Sequence, residues 1–251
     1  MRKVYLLSVE ELHSPGVYEK AVELLDSERK KRAARCRETR DRVRSVGAGL
    51  LLQLAYAQVW EQRDCFAGGV NPRHQAGPGG ELIVRDQAAA SARLFPWQQV
   101  SVSEILSRVG RGRELLYVTG KDGKPYLADS AFYFSLSHSG EFVICAVSDC
   151  ETGADIQEKK EADYRKLVGR FFTEGEKKIF ASCSCGQEEK DLFYLLWTRK
   201  EAWGKLTGKG LMEGLDRMQV LEAASKAVVF EDYSGLPGYQ ASVCFRKENP
   251  V

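Results

Sequence analysis

The spacing of apolar residues predicts a chain that mixes strands and helices. Apolar, β-prone stretches at Lys3–Ser8 and Phe142–Ser148 predict two strands, the second of them buried. Helical spacing of apolar residues predicts a helix over Ser45–Trp60. Further predicted elements are a helix near residues 17–25, a short helix at Ser101–Val109 and a turn at residues 121–125.

Apolar and polar residues alternate from Ala131 to His138, which predicts a strand with two different faces. A Ser-Gly-Glu turn leads from it into the strand at Phe142–Ser148, so we predict a hairpin. A third strand is predicted at Thr152–Gln157, with Asp155 and Gln157 on the same face. The two faces of the first strand carry Phe132, Phe134 and Leu136 on one side and Tyr133, Ser135 and Ser137 on the other.

The C-terminal third contains helix signals and a closing hairpin. Thr173 and Glu176 have the spacing of a capping box, which predicts the start of a helix. A polar loop is predicted at Ser182–Glu189, and the stretch Phe193–Glu213 that follows contains a predicted helix that ends in the sequence Thr-Gly-Lys-Gly. The last predicted strands, at residues 227–231 and 239–245, form a hairpin.

The helix predicted within the stretch Phe193–Glu213 carries charged residues on one face. Helical spacing puts one carboxylate, Glu201, between the ammonium groups of Lys200 and Lys205, with Trp197 on the same face. A surface helix with a Glu–Lys pair would explain this pattern, and such a pair stabilises a helix by only about 0.2–0.5 kcal/mol. Because bulky apolar residues lead directly into the charges, we predict instead that the charged face lies at a packed site.

The composition is that of a globular protein with a sizeable core. The 251 residues are 43% hydrophobic and 29% charged, and no apolar run is long enough to span a membrane. The first residues lack the uninterrupted apolar region of a signal peptide, so we expect a cytoplasmic protein. Seven cysteines without a C-x-x-C pair predict free thiols rather than disulfides or a zinc site.

Positive charge is concentrated in one segment, although the net charge is only +2. Residues 28–44 contain nine basic and three acidic residues. The segment is explained either by a solvated helical face or by a site for phosphates or nucleic acid. No aromatic residue lies among these charges, which disfavours binding of single-stranded nucleic acid.

Two carboxylates on separate predicted elements suggest a metal site. Asp155 lies on a strand and Glu201 on a helix, and His138 ends another strand. Mg²⁺ binds to one or two protein carboxylates and completes its shell with phosphate and water. The sequence from residue 204 to 210 contains two glycines and two lysines, but its spacing differs from that of a P-loop, which we exclude.

Five motifs resemble, in order, those of the Sfp-type 4'-phosphopantetheinyl transferases. The resemblance is close over about residues 120–220 and looser over the first 60. The motifs are Ser137-His-Ser-Gly140, Gly153-Ala-Asp-Ile-Gln157, Arg170-Phe-Phe-Thr173 with Glu176, Trp197-x-x-Lys-Glu-Ala202 with Lys205, and Gly208-Lys-Gly-Leu211.

The resemblance implies an enzyme that moves 4'-phosphopantetheine from coenzyme A to a serine of an apo acyl or peptidyl carrier protein, with release of 3',5'-ADP. It implies Mg²⁺, or Mn²⁺, as the cofactor and coenzyme A as the substrate. We expect a monomer that binds neither nucleic acid nor membrane. The alternative is a non-catalytic nucleotide- or RNA-binding module that uses Arg29–Arg44.

The resemblance also implies a role for each matched residue. Asp155 and Glu201 are implied as metal ligands, with Glu201 as the base for the serine proton and Lys205 as the cation at the pyrophosphate. Many family members have a second acid where this chain has Gln157, which is therefore a weak ligand only. The residues implied to bind the rest of coenzyme A are Arg29, Arg32, Ser45, Ser137 and His138 at the 3'-phosphate and Gly123, Lys124 and Pro125 at the nucleotide.

The fold class implied is α/β, with two similar α+β halves in one chain and coenzyme A in the cleft between them. The N-terminal half would span residues 1–125 and contain the basic segment, and the C-terminal half would span residues 126–251 and contain the metal-binding motifs. Residues 65–98 are rich in Gly, Pro and Gln and look like an insertion in the first half.

Overall fold

The computed structural model describes residues 2–66, 97–210, 217–222, 227–233 and 235–247. The strands are β1 (Arg2–Ser8), β2 (Gln98–Val100), β3 (Tyr117–Thr119), β4 (Pro125–Leu127), β5 (Tyr133–Ser139), β6 (Phe142–Ser148), β7 (Thr152–Glu158), β8 (Val228–Tyr233) and β9 (Tyr239–Arg246). The helices are α1 (Pro15–Glu23), α2 (Ser27–Arg35), α3 (Thr39–Phe66), α4 (Val102–Val109), α5 (Arg165–Phe171), α6 (Glu174–Ala181) and α7 (Gly186–Thr207), with a 3₁₀ turn at Glu10–His13.

These elements confirm a mixed α/β fold. A four-stranded sheet has the order β2-β1-β6-β5, and a three-stranded sheet has the order β7-β9-β8. Only β1 and β2 pair in parallel among the described strands. Both predicted hairpins are confirmed, as β5–β6 and β8–β9. Most of the predicted insertion lies outside the described residues, apart from the end of α3 and the start of β2.

Three buried clusters explain how the sheets and helices stack. Alternate residues of β1 illustrate the pattern, since Tyr5 and Leu7 pack towards α3 whereas Leu6 packs against the second sheet. The second sheet repeats this, because Val243 faces the first sheet and Cys244 faces α7. The layers are therefore α3, the first sheet, the second sheet and α7.

Local sequence signals account for several helix ends. The carboxylate of Asp26 accepts a hydrogen bond from the Arg29 amide and caps α2, and the Ser101 hydroxyl caps α4 in the same way. The predicted capping box of Thr173 and Glu176 is confirmed, with both reciprocal hydrogen bonds present.

The polar loop predicted at Ser182–Glu189 is wrong in its second half, because α7 already begins at Gly186. Two acidic residues in the first turn stabilise this end of the helix through its dipole. The Glu188 carboxylate also accepts a hydrogen bond from the Ser184 amide at 2.7 Å. The other end matches the prediction, since Gly208 terminates the helix with a left-handed φ of 78°.

The first sheet takes strands from both sides of residue 125, since β5 and β6 complete it. The chain changes from the first sheet to the second between Ser148 and Thr152. No helix in the described part of the chain is both long and apolar enough to cross a membrane. The six cysteines whose side chains are described are all free thiols, as predicted.

Candidate active site

A cavity of about 790 Å³ lies where β5, at the edge of the first sheet, meets β7, at the edge of the second. Its walls come from α2, the start of α3, the turn before β4, strands β5 and β7, and the end of α7. All of the residues that the sequence predicted for the site line this cavity: Arg29, Arg32, Ser45, Gly123, Lys124, Pro125, Ser137, His138, Asp155, Gln157, Glu201 and Lys205.

Serine side chains of β5 join the two sheets at the floor of the cavity. Every second residue of β5 is a serine, and each hydroxyl accepts a hydrogen bond from a backbone amide of β7. These bonds replace the backbone pairing that is missing between β5 and β7 and hold the strands in register. The pairs are Ser135 with Ala154 at 2.9 Å, Ser137 with Ile156 at 3.3 Å and Ser139 with Glu158 at 2.9 Å.

Close packing of α7 on β7 depends on Gly153. A Cβ at this position would overlap the Ala202 carbonyl oxygen and lie 2.6 Å from the Leu206 amide nitrogen. The absence of a side chain lets the helix backbone approach the strand backbone directly. This approach brings Lys205 and Glu201 to the strand that carries Asp155.

Asp155 is 2% exposed and has a partner for each oxygen. Its Oδ1 accepts hydrogen bonds from the Ser137 hydroxyl and from Lys205 Nζ, both at 2.8 Å. Its Oδ2 accepts one from the Gln157 side-chain amide at 3.0 Å. The predicted shared face of Asp155 and Gln157 is confirmed, and Gln157 orients the carboxylate that a second acid would repel.

Glu201 also faces the cavity, but its carboxylate accepts no hydrogen bond from the part of the chain that the structure describes. Burial, and secondly the negative charge of Asp155, raises the pKa of the Glu201 carboxyl to about 7, while Lys205 acts in the opposite direction. A half-buried carboxylate without a donor among the described residues, next to a second carboxylate, favours the binding of a cation or a proton.

The opposite wall is basic and contains an unpaired hydroxyl. Arg29 is buried at 6% exposure, and Arg32 lies beside it on α2. Burial and the positive charge of Arg29 lower the pKa of Arg32. The buried Oγ of Ser45 has no hydrogen-bond partner among the described residues. This wall has the chemistry of an anion site.

His138 lies at the exposed rim of the cavity. Partial desolvation, and then the positive charges of Arg44 and Lys205, lower the pKa of its imidazole. An anion bound between these cations would raise the pKa of the His138 imidazole again. Ser137, the preceding residue, points to Asp155 and the β7 backbone instead, so the two predicted 3'-phosphate contacts have different surroundings.

The prediction that Lys200 shares one face of α7 with Glu201 and Lys205 is wrong. Lys200 is fully buried, and its Nζ lies 2.9 Å from the Glu176 carboxylate and 2.8 Å from the Met218 carbonyl oxygen. Successive helix residues are rotated by about 100°, so the contact with α6 turns Lys200 away from the cavity. Lys200 holds α6 and the segment 217–222 against α7.

The donor set fits the predicted metal. Among the described residues, no group of three or more His, Cys, Asp or Glu side chains is arranged to hold a metal ion. The predicted ligands are the Asp155 and Glu201 carboxylates and the Gln157 amide, which all lie on the cavity wall, where Asp41 and Asp122 lie as well. Mg²⁺ suits such a set, because it binds to one or two carboxylates and takes its other ligands from phosphate and water.

Sequence reasoning missed the residues that support the site from behind. Tyr117 donates a hydrogen bond of 2.8 Å to Asp26, and the Glu114 carboxylate accepts one of 3.1 Å from the Ser27 amide. These contacts fix the first turn of α2 and with it Arg29. They join positions more than eighty residues apart in the sequence, so no local pattern signals them.

Comparison with known proteins gives a family match over the part of the chain that contains the second sheet and α7. The model of the 4'-phosphopantetheinyl transferase superfamily matches residues 149–246. The 4'-phosphopantetheinyl transferase psf-1 of Bacillus pumilus is 36% identical over 146 residues, which cover 53% of this chain and 62% of that protein. The 4'-phosphopantetheinyl transferase Sfp of Bacillus subtilis is 32% identical over 143 residues, which cover 52% of this chain and 63% of that protein.

A vertebrate protein is similar as well. The L-aminoadipate-semialdehyde dehydrogenase-phosphopantetheinyl transferase of Xenopus laevis is 30% identical over 152 residues, which cover 58% of this chain and 47% of that protein. The chain thus spans about three fifths of the length of the two bacterial relatives and about half of the vertebrate one. Residues 149–246 are thus similar to the 4'-phosphopantetheinyl transferase superfamily, and the site residues predicted from that resemblance line one cavity.

Proposed function

We propose that this protein transfers 4'-phosphopantetheine from coenzyme A to a serine of an apo acyl or peptidyl carrier protein and releases 3',5'-ADP. The convergence of all the predicted metal, catalytic and coenzyme A-binding residues on one cavity carries this proposal. The cavity volume is within the range of about 300–1,000 Å³ that is usual for small-molecule sites. The named activities of the relatives give the reaction class.

The two walls of the cavity suit the two charged ends of the donor. The wall with Arg29, Arg32 and the unpaired Ser45 hydroxyl would bind the 3'-phosphate, with His138 at the rim. Lys205, beside Asp155, would bind the pyrophosphate. Charge-assisted hydrogen bonds of this kind are the stronger ones in proteins.

Transfer forms a bond between the carrier serine oxygen and the β-phosphorus of coenzyme A and breaks the bond from that phosphorus to the 3',5'-ADP oxygen. Glu201 would take the proton of the serine hydroxyl, directly or through water. It faces the cavity and has no hydrogen-bond donor among the described side chains to compete with that proton. Lys205 would stabilise the charge on the leaving phosphate.

Asp155 and Glu201, with Gln157 as a weaker ligand, would hold Mg²⁺ or Mn²⁺. The ion, when bound, supplies positive charge to the phosphoryl oxygens. The rest of the chain positions the reacting side chains. The hydrogen bonds from the β7 amides to the β5 serines and the close packing of α7 at Gly153 support this role.

The arrangement favours a cleft enzyme over a nucleic-acid-binding module built on Arg29–Arg44. Most basic residues of this segment are exposed, but Arg29 is buried, and it lines a cavity with Glu201 on another wall, which an open basic surface does not require. We also propose that the chain has two similar halves with coenzyme A between them, in a cytoplasmic protein, and that they divide between Ser148 and Thr152, where the chain changes sheets, rather than at residue 125. Each sheet has one long helix on its outer side, which supports the similarity of the halves.

The test is incubation with coenzyme A, Mg²⁺ and a panel of apo carrier proteins, followed by intact mass measurement. The proposal predicts that at least one carrier gains the mass of a single phosphopantetheine group and that 3',5'-ADP appears in equal amount. Omission of Mg²⁺ should abolish the gain. Binding of RNA with a steep salt dependence, without modification of any carrier, would support the nucleic-acid-binding alternative instead.

A further inference from the structure

The side chain of Lys124 points away from the cavity and into the protein. The residue is 8% exposed, and its ammonium group makes three hydrogen bonds. It donates to the Glu151 carboxylate, to the Thr152 carbonyl oxygen at 3.0 Å and to the Leu206 carbonyl oxygen at 3.0 Å. An ammonium group has three N–H donors, so none is left for a phosphate oxygen.

Two of these acceptors belong to the elements that carry the candidate active site. Thr152 is the first residue of β7, three positions before Asp155. Leu206 lies in the last turn of α7, directly after Lys205. The Lys124 ammonium therefore ties together the strand and the helix whose side chains meet in the 2.8 Å contact between Lys205 and Asp155.

Helix-end chemistry explains why a lysine suits this place. The carbonyl groups of the last helical turn have no partner within the helix, and a cation there also interacts favourably with the helix dipole. The turn around Lys124 packs on the same helix end, since a Cβ on Gly208 would lie 2.8 Å from the Asp122 Cβ. Glu151 balances the buried charge and is itself held by the Tyr126 hydroxyl at 2.9 Å.

We propose that Lys124 is a positioning residue, which fixes the last turn of α7 so that Lys205 meets Asp155, and is not a ligand of coenzyme A through its ammonium group. The inference rests on the proposed function, because the role of Lys205 does. It changes the sequence-based assignment of Lys124, which is part of the cavity lining but whose ammonium group is held by Glu151, Thr152 and Leu206.

The experiment compares Lys124→Met with Lys121→Met, which alters an exposed lysine of the same turn. We expect Lys124→Met to lower kcat for carrier modification about tenfold to a hundredfold, as a small misplacement of a reacting group does. The dissociation constant for coenzyme A, measured by calorimetry, should stay within about threefold of the wild-type value, since no ligand contact is lost. Lys121→Met should change neither quantity.

A double-mutant cycle with Lys205→Met separates positioning from general destabilisation. If Lys124 acts through Lys205, adding Lys124→Met to Lys205→Met should lower kcat by less than about twofold further. If the losses in kcat of the two single variants multiply in the double variant, the inference is overturned. A tenfold weaker binding of coenzyme A by Lys124→Met, or an unchanged kcat, would overturn it as well.

Hydrogen exchange gives a readout that does not depend on catalysis. Lys124→Met should speed exchange of the amides in the last turn of α7 by about tenfold, whereas Lys121→Met should not. Unchanged exchange would overturn the inference even if no carrier is modified, whereas absent transfer by the wild type alone would overturn the proposed function. If Lys124→Met does not fold, Lys124→Arg replaces it with the same expectations, because a planar guanidinium cannot reproduce the three bonds of one nitrogen.

Discussion

The Lys205 ammonium and the Asp155 carboxylate lie 2.8 Å apart, and this contact joins the end of α7 to the middle of β7. Asp155 is buried, whereas Lys205 is partly exposed to the cavity. Asp155 therefore fixes the position of the contact, and the Lys205 side chain remains accessible to a ligand in the cavity. A phosphate that enters the cavity meets a cation whose position the protein has already set.

We expect Glu201→Gln to fold and to bind coenzyme A but to modify carrier protein about 10²–10⁴-fold more slowly, because a catalytic base is lost. The folding expectation follows from the lack of a hydrogen bond to this carboxylate in the described residues and from its repulsion by Asp155. Calorimetry with coenzyme A and intact mass of the carrier measure the two effects. A rate close to that of the wild type would contradict the proposed mechanism.

Thermal unfolding provides the control for the same variant. In EDTA, Glu201→Gln should be at least as stable as the wild type, because a half-buried charge beside Asp155 is removed. Added Mg²⁺ should raise the Tm of the wild type and have less effect on the variant, as linkage between binding and folding requires. An equal rise in both proteins would exclude Glu201 as a metal ligand.

His138→Ala should reduce the preference for coenzyme A over 3'-dephospho-coenzyme A by about tenfold, which is the loss expected for one charge-assisted hydrogen bond. The donor without the 3'-phosphate serves as the internal control, and its use should hardly change. The measurement is kcat/KM for both donors with one carrier protein. Equal losses on the two donors would remove His138 from the 3'-phosphate site.

Ser137→Ala should behave differently, although the sequence places the two residues together. Its hydroxyl bonds to Asp155 and to the Ile156 amide, so its loss should slow the use of both donors by a similar factor. An unsatisfied buried group typically costs about 1–3 kcal/mol, so a fall in stability should accompany the slower rate. A selective loss with coenzyme A would show that Ser137 contacts the 3'-phosphate after all.

Gly153→Ala should destabilise the protein by roughly 1–3 kcal/mol or more, because the new Cβ overlaps the backbone of α7. Gly169→Ala is the matched control, since that helical glycine has no atom within 4 Å of its added Cβ. The control should be neutral or stabilising by about 0.5–1 kcal/mol. Urea unfolding of both variants measures the difference, and equal stabilities would show that the helix yields easily at this contact.

Much of the local structure follows from the sequence, because it depends on neighbours along the chain. The period of two along a strand put Asp155 and Gln157 on one face, and the spacing of Thr173 and Glu176 marked the start of α6. The glycine that ends α7 could be predicted for the same reason. The left-handed backbone conformation that ends a helix favours glycine, whatever the rest of the fold. The ordered motifs indicated a resemblance to the family, and the family model matches residues 149–246.

The tertiary structure alone decided which side chains face the cavity. Lys200 and Glu201 are adjacent, yet one pairs with Glu176 in the core and the other faces a ligand site, because packing of α6 and β7 sets the rotation of α7. The ammonium of Lys124 is likewise taken by acceptors 27 to 82 residues away. Such contacts join distant parts of the chain, and a pattern of neighbouring residues carries no information about them.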